Sequence, residues 1–181
     1  FASDFFGYAL AACDFNDDGF FDLAVGARFA EDRDALMPAN DQGAAFVFLG
    51  SEGGFADDPQ VALYGKAPDG LGGWVDSPGM RLGTSMAAGD IDGDGVCDLV
   101  VGGFEYKTAM GRGQDGAVFV YRGVASGPAG IGGPADLPSL AWAASSVGQE
   151  ATFFGRHVAV GDLDRDGLYD IAVGQYRQNA V

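Results

Sequence analysis

Oxygen-bearing side chains recur at alternate positions in three short stretches of this 181-residue chain. The stretches read Asp14-Phe-Asn16-Asp-Asp18-Gly19-Phe20-Phe-Asp22, Asp90-Ile-Asp92-Gly-Asp94-Gly95-Val96-Cys-Asp98 and Asp162-Leu-Asp164-Arg-Asp166-Gly167-Leu168-Tyr-Asp170. Their common form, Asp-x-(Asp/Asn)-x-Asp-Gly-x-x-Asp, describes a loop folded around a hard cation. Side chains at positions 1, 3, 5 and 9 and the carbonyl at position 7 supply about five or six oxygens, and a water completes the shell that Ca²⁺ prefers. The candidate ligands are therefore Asp14, Asn16, Asp18, Phe20 and Asp22 in the first loop, Asp90, Asp92, Asp94, Val96 and Asp98 in the second, and Asp162, Asp164, Asp166, Leu168 and Asp170 in the third. Each loop is expected to hold one Ca²⁺, with Mg²⁺ or Mn²⁺ as substitutes. Glycine at position 6 answers the sharp turn, where φ is often positive. Without a cation, carboxylates this close repel strongly.

The elements around the loops exclude an EF-hand, which needs a bidentate Glu at position 12 between two helices. Position 12 is Val25, Val101 and Val173, inside Asp-Leu-Ala-Val-Gly, Asp-Leu-Val-Val-Gly and Asp-Ile-Ala-Val-Gly. Short β-rich runs ending in glycine read as buried strands. The segments before the loops are too short and too rich in small residues to be helices. Each loop is thus expected to join two strands.

The loop is part of a longer unit. Eight residues before each loop stands an apolar residue followed by glycine: Phe6-Gly7, Leu82-Gly83 and Phe154-Gly155. The unit recurs after 76 and then 72 residues, a period that indicates an array or propeller. Expected strands cover 8–13, 23–27, 44–49 and 61–64 in the first unit, 84–89, 99–103, 117–122 and 140–143 in the second, and 156–161 and 171–175 in the third. Blade boundaries are expected at 1–65, 66–144 and 145–181, the last truncated.

Phe-Gly, the Asp-rich loop and Asp-Leu-x-Val-Gly together resemble the FG-GAP repeat of integrin α-subunit propellers and their bacterial relatives. The resemblance covers essentially the whole chain. Leu82 replaces Phe in the second copy, and Ala27-Arg28, Gly103-Phe104 and Gln175-Tyr176 follow Val-Gly in place of Ala-Pro. The family implies an all-β fold, a β-propeller of four-stranded antiparallel blades, usually seven, with cations in some strand 1–2 loops. About two and a half blades are present, so the remaining blades are expected from the same or another chain.

Charge and cysteine bound the function. The formal charge is −16, but twelve of the 26 acidic residues lie in the three loops, and three divalent cations would bring the net to about −10. An acidic surface excludes nucleic acid as an expected partner. No apolar run approaches the ~20 residues that span a bilayer. Extracellular calcium modules bind with dissociation constants of about 10⁻⁴–10⁻³ M, which points to an extracellular or cell-surface location, or a periplasm. Cys13 and Cys97 do not occupy equivalent repeat positions. Two states stay open for them: unpaired, or a bridge between adjacent blades.

An antiparallel meander alternates its ends, so the 1–2 and 3–4 loops share one face and the 2–3 and 4–1 loops the other. The second set, 28–42, 66–81, 104–115 and 145–153, is the expected binding face for a protein or glycan ligand, as in the resembled family. Trp74, in an exposed-looking 4–1 loop, is a candidate platform; Trp142 reads as packing, and His157 as packed or channel-lining. No nucleophile–base–acid arrangement, phosphate loop or zinc cluster can be assembled, so no enzymatic activity is expected from this chain. The leading expectation is a calcium-stabilised adhesion or recognition module. The alternative is the propeller portion of a secreted polysaccharide- or lipid-degrading enzyme whose catalytic residues lie elsewhere.

Overall fold

The computed structural model describes residues 4–33, 40–68, 74–107, 115–125, 140–143 and 153–175. Every element among them is a strand. The first sheet is a meander of β1 (Phe6–Cys13), β2 (Asp22–Ala27), β3 (Ala44–Phe48) and β4 (Val61–Tyr64). A small hairpin of β5 (Lys66–Pro68) and β6 (Trp74–Asp76) follows. The second meander comprises β7 (Leu82–Gly89), β8 (Asp98–Gly103), β9 (Ala117–Tyr121) and β10 (Leu140–Ala143). Strands β11 (His157–Gly161) and β12 (Asp170–Gly174) pair antiparallel to start a third.

Alternation along the strands explains how the sheets stack. Successive side chains point to opposite faces, and β8 is buried on both. Leu99 and Val101 join Ala24, Val47, Leu63, Phe119 and Tyr121 in a core between the first and second sheets. Val100, together with Val118 and Val120, faces the other way, onto Val158, Val160, Ile171 and Val173 of the third. The first strands are neighbours: β1 touches β7 and β7 touches β11. Ala9, Ala11 and Cys13 of β1 pack on the core that contains Met86, so small side chains let these strands approach. The outer face of the first sheet carries a smaller apolar cluster built on Phe46, with Phe48 and Tyr64. Phe6, Tyr8 and Leu10 on that side are 46%, 43% and 59% exposed.

Glycine governs the close approach between sheets. A Cβ on Gly26, the glycine ending Ala-Val-Gly, would collide with the carbonyl oxygen of Gly83 from the next Phe-Gly-type dipeptide. Gly102 meets the carbonyl of Gly155 in the same way. Gly83 and Gly155 themselves sit at φ 81° and 82°, a region that favours glycine. Two parallel bridges, Gly43 to Leu82 and Gly116 to Phe154, continue the contact. The Phe-Gly and Val-Gly dipeptides are thus two halves of one interface.

Four sequence expectations need correction. Strands β1 and β7 begin earlier than expected, at Phe6 and Leu82, because the chain enters through an irregular register between Phe6 and Leu10 and between Leu82 and Ser85. Segment 66–81, read as a loop, contains the hairpin of β5 and β6. Trp74 in that hairpin is partly buried on the main core, its ring 6.5 Å from Phe119 at 62°, so it is a packing residue and not an open platform. His157 is exposed at the start of β11, so of its two readings, packed or channel-lining, the packed one does not hold. The side chain of Trp142 lies outside the described residues, as do 34–39, 69–73, 108–114 and 144–152 of the loops on the expected binding face.

Cys13, at the end of β1, is bonded to Cys97, one residue before β8. Their Cα atoms are 6.1 Å apart and 84 residues separate them in sequence. The bridge therefore ties the first sheet to the second loop, and it resolves the alternatives that the sequence left open. Closing so long a loop restricts the unfolded chain by about 4.6 kcal/mol in the chain-entropy model, and native bridges typically contribute about 2–5 kcal/mol.

Two measurements check this packing. Reduction with a phosphine should lower the unfolding free energy, read from denaturant titration, by about 2–4 kcal/mol; an unchanged midpoint would contradict the bridge. Gly26→Ala should destabilise by about 1–3 kcal/mol through overpacking. Gly161→Ala, where an added Cβ meets nothing within 4 Å, should change stability by less than about 0.5 kcal/mol. Equal effects would contradict the glycine contact.

Candidate metal centre

Each of the three Asp-rich segments connects the first two strands of a sheet: 14–21 joins β1 to β2, 90–97 joins β7 to β8, and 162–169 joins β11 to β12. Their backbones turn alike. Position 6 has positive φ in all three, 89° at Gly19, 91° at Gly95 and 96° at Gly167. Position 4 is also left-handed, at Asp17, Gly93 and Arg165 with φ 56°, 78° and 67°. The sequence hides this second turn, because only one of the three residues is glycine.

The side-chain oxygens fold inward by accepting the loop's own N–H groups. Asp14 accepts from the amides of Asp18 and Gly19 at 3.1 and 2.8 Å. Asp90 accepts from Gly93, Asp94 and Gly95 at 2.8, 3.1 and 2.9 Å, and Asp162 accepts from Gly167 at 3.2 Å. At position 3, Asn16, Asp92 and Asp164 each accept from the amide two residues on, at 3.2, 3.2 and 3.1 Å. At position 5, Asp18, Asp94 and Asp166 do the same at 2.9, 2.9 and 2.8 Å. These repeated Asx turns order all three loops, and in the second and third they leave three carboxylate oxygens close together.

Position 9 has a different task. Asp22 accepts from Phe15 N and Gly50 N, both at 2.8 Å. Asp98 accepts from Ile91 N and Gly123 N, both at 3.0 Å. Each carboxylate closes its loop and also captures the end of the third strand. Asp170 makes the first of these bonds, to Leu163 N at 2.9 Å. Asp22 and Asp98 are 0% and 1% exposed. Burial pushes the carboxyl of Asp22 above its ordinary value; the Gly50 and Phe15 amides pull it down, and Asp18 and Asp14 push it up again. Asp98 follows the same order, with Gly123 and Ile91 lowering it and Asp92 and Asp94 raising it.

The geometry brings together oxygens of Asp90, Asp92 and Asp98 within 4.8 Å of one another, and likewise those of Asp162, Asp164 and Asp166. In the first loop the amide of Asn16 occupies the third position, and its Nδ2 donates to Asp18 at 3.0 Å. The donor set is oxygen throughout. Cys97, the one sulfur inside a loop, is committed to the disulfide. Hard oxygen donors with this spacing fit Ca²⁺, Mg²⁺ or Mn²⁺ and not a soft metal. Phe20, Val96 and Leu168 stand at position 7 of the same turns, each donating its N–H to the position 5 carboxylate.

The opposite end of the strands carries a second constellation. The guanidinium of Arg28 lies over Phe5, Tyr8 and Phe29 at 5.0, 4.2 and 4.7 Å. Arg81 lies over Phe29 at 4.5 Å and pairs with Glu105 at 2.9 Å. An open cleft of about 300 Å³ is lined by Asp4, Phe5, Phe29, Glu31, Arg33 and Asp41.

Comparison with known proteins accords with this arrangement. The FG-GAP repeat family matches residues 6–48, 82–121 and 154–181. The chain is 32% identical to integrin alpha-5 of Xenopus laevis over 177 residues, covering 96% of this chain and 15% of that protein. It is 33% identical to human integrin alpha-7 over 180 residues, 97% of this chain and 12% of that protein. Identity to integrin alpha pat-2 of Caenorhabditis briggsae is 34% over 182 residues, 94% and 13% of the respective lengths. The chain thus spans less than a sixth of the curated relatives it matches. Its antiparallel all-β sheets are those of a β-propeller, and the chain belongs to the FG-GAP repeat family.

Proposed function

We propose that this chain is a calcium-stabilised portion of an extracellular recognition propeller, non-enzymatic, with structural cations in the strand 1–2 loops and ligand binding on the face where the 2–3 and 4–1 loops lie. One observation supports the reading: in all three copies of the loop the side-chain oxygens at positions 1, 3 and 5 accept from the amides at positions 6, 5 and 7. Oxygens so gathered repel unless a cation lies among them. Phe20, Val96 and Leu168 would complete the ligand sets through their carbonyls. A Ca²⁺ in each loop would neutralise the cluster and stiffen the turn between strands 1 and 2. It would leave chemistry to other parts of the molecule.

The recognition part of the proposal rests on the opposite face. Arg28 and Arg81 are held over aromatic rings beside a cleft that contains Asp4, Glu31 and Asp41. A rigid scaffold carrying mixed charge and aromatics on its loops is suited to binding protein or glycan. The apolar outer face with Phe6, Tyr8 and Leu10 is suited to a further blade, from the same or another chain. A surface location is supported by the weak calcium affinity expected of such modules and by the similarity to integrin α-subunits.

At about 2 mM calcium, a site with a dissociation constant of about 10⁻⁴–10⁻³ M adds about 1–2 kcal/mol of stability. Asp94→Ala and Asp166→Ala should therefore each lower Tm by about 2–8 °C in calcium and by much less in EGTA, measured by scanning calorimetry. An equal loss in both buffers would count against the metal role.

A further inference from the structure

The second loop carries a cation of its own. Arg122, the residue after β9, places Nη1 2.9 Å from Oδ2 of Asp92, the position 3 residue. Its neighbour Gly123 donates to Asp98 at position 9. One dipeptide therefore holds two of the candidate ligands. The register identifies its counterpart in the first sheet: Leu49-Gly50 follows β3, and Gly50 donates to Asp22 as Gly123 does to Asp98. There the residue before glycine is neutral, and so is position 3, Asn16. In the second sheet both members are charged. The additional carboxylate at position 3 comes with an additional guanidinium.

We propose that Arg122 is a resident counter-cation of the second loop, a residue that sets its calcium affinity; the inference rests on the calcium reading given above. Before calcium binds, Arg122 neutralises Asp92 and lowers the mutual repulsion of Asp90, Asp92, Asp94 and Asp98. Once calcium is bound, the guanidinium and the ion share one carboxylate and repel each other. Asp92 keeps its second oxygen turned into the loop, where it accepts from Asp94 N, so the two cations approach from different sides. Arg122 is thus a positioning and affinity-setting residue, not a ligand. Its side chain is 61% exposed, which makes the repulsion sensitive to salt.

The amides of Gly19, Gly95 and Gly167 donate to Asp14, Asp90 and Asp162, so each reports one loop in a calcium titration of ¹⁵N-glycine-labelled protein. Arg122→Leu should tighten binding at Gly95 by about 3–10-fold in about 0.05 M KCl, and by less than about 2-fold in about 1 M KCl. Gly19 and Gly167 should be unaffected, and Arg122→Lys should behave as wild type. In EGTA, Arg122→Leu should lower Tm by about 1–3 °C. Unchanged or weaker binding at Gly95 in Arg122→Leu, or a gain that persists at high salt, overturns the assignment while leaving calcium binding intact. Absence of any calcium response at all three glycines of the wild-type protein overturns the calcium reading, and this inference with it.

Discussion

Position 9 of the first two loops is where the structure concentrates its electrostatic risk. Asp22 and Asp98 are carboxylates with almost no contact with water, and a buried charge without partners is costly. Each is accepted because two backbone N–H groups point at it, one from its own loop and one from the end of the third strand. The same bonds make loop, second strand and 3–4 connection a single unit. The remaining carboxylates of the loop crowd against this fixed charge. They are ordered by their own amides, but amide dipoles do not cancel three or four net negative charges. A divalent ion would, which is the physical ground for the cation proposed in each loop.

Between sheets, fastening occurs at both ends of the first strand. At the entry end, glycine carbonyls of the Phe-Gly-type dipeptides press on Gly26 and Gly102 of the preceding sheet, a contact that any side chain there would block. At the exit end, the Cys13–Cys97 bridge joins the first sheet to the second loop. The apolar cores built on Leu99 and on Val100 fill the space between. The repeat can therefore be described by its interfaces: an Asp loop that stabilises one sheet internally, and a glycine pair that sets its distance from the next.

Much of this was legible in the sequence because its signals are local. The fourth strands, Val61–Tyr64 and Leu140–Ala143, lie where apolar runs indicate them, and the Asp loops lie between first and second strands. What stayed hidden depends on three-dimensional placement. Phe5, Arg81 and Phe153 adopt φ of 55°, 58° and 49° ahead of the Phe-Gly-type dipeptides, and nothing in their identity signals a left-handed turn. The hairpin of Lys66–Pro68 and Trp74–Asp76 is short and contains proline, so it reads as a loop. Pairing of two cysteines 84 residues apart, and of Arg122 with Asp92, depends on distances that no spacing rule supplies.

The recognition role proposed for the opposite face depends on a rigid scaffold, which cations in the loops would supply. Their presence is tested most directly by anomalous scattering from crystals grown with calcium. One peak is expected within each loop, about 2.3–2.6 Å from the side-chain oxygens at positions 1, 3, 5 and 9 and from the carbonyls of Phe20, Val96 and Leu168. Loops that keep the same conformation with no anomalous peak at saturating calcium would contradict it.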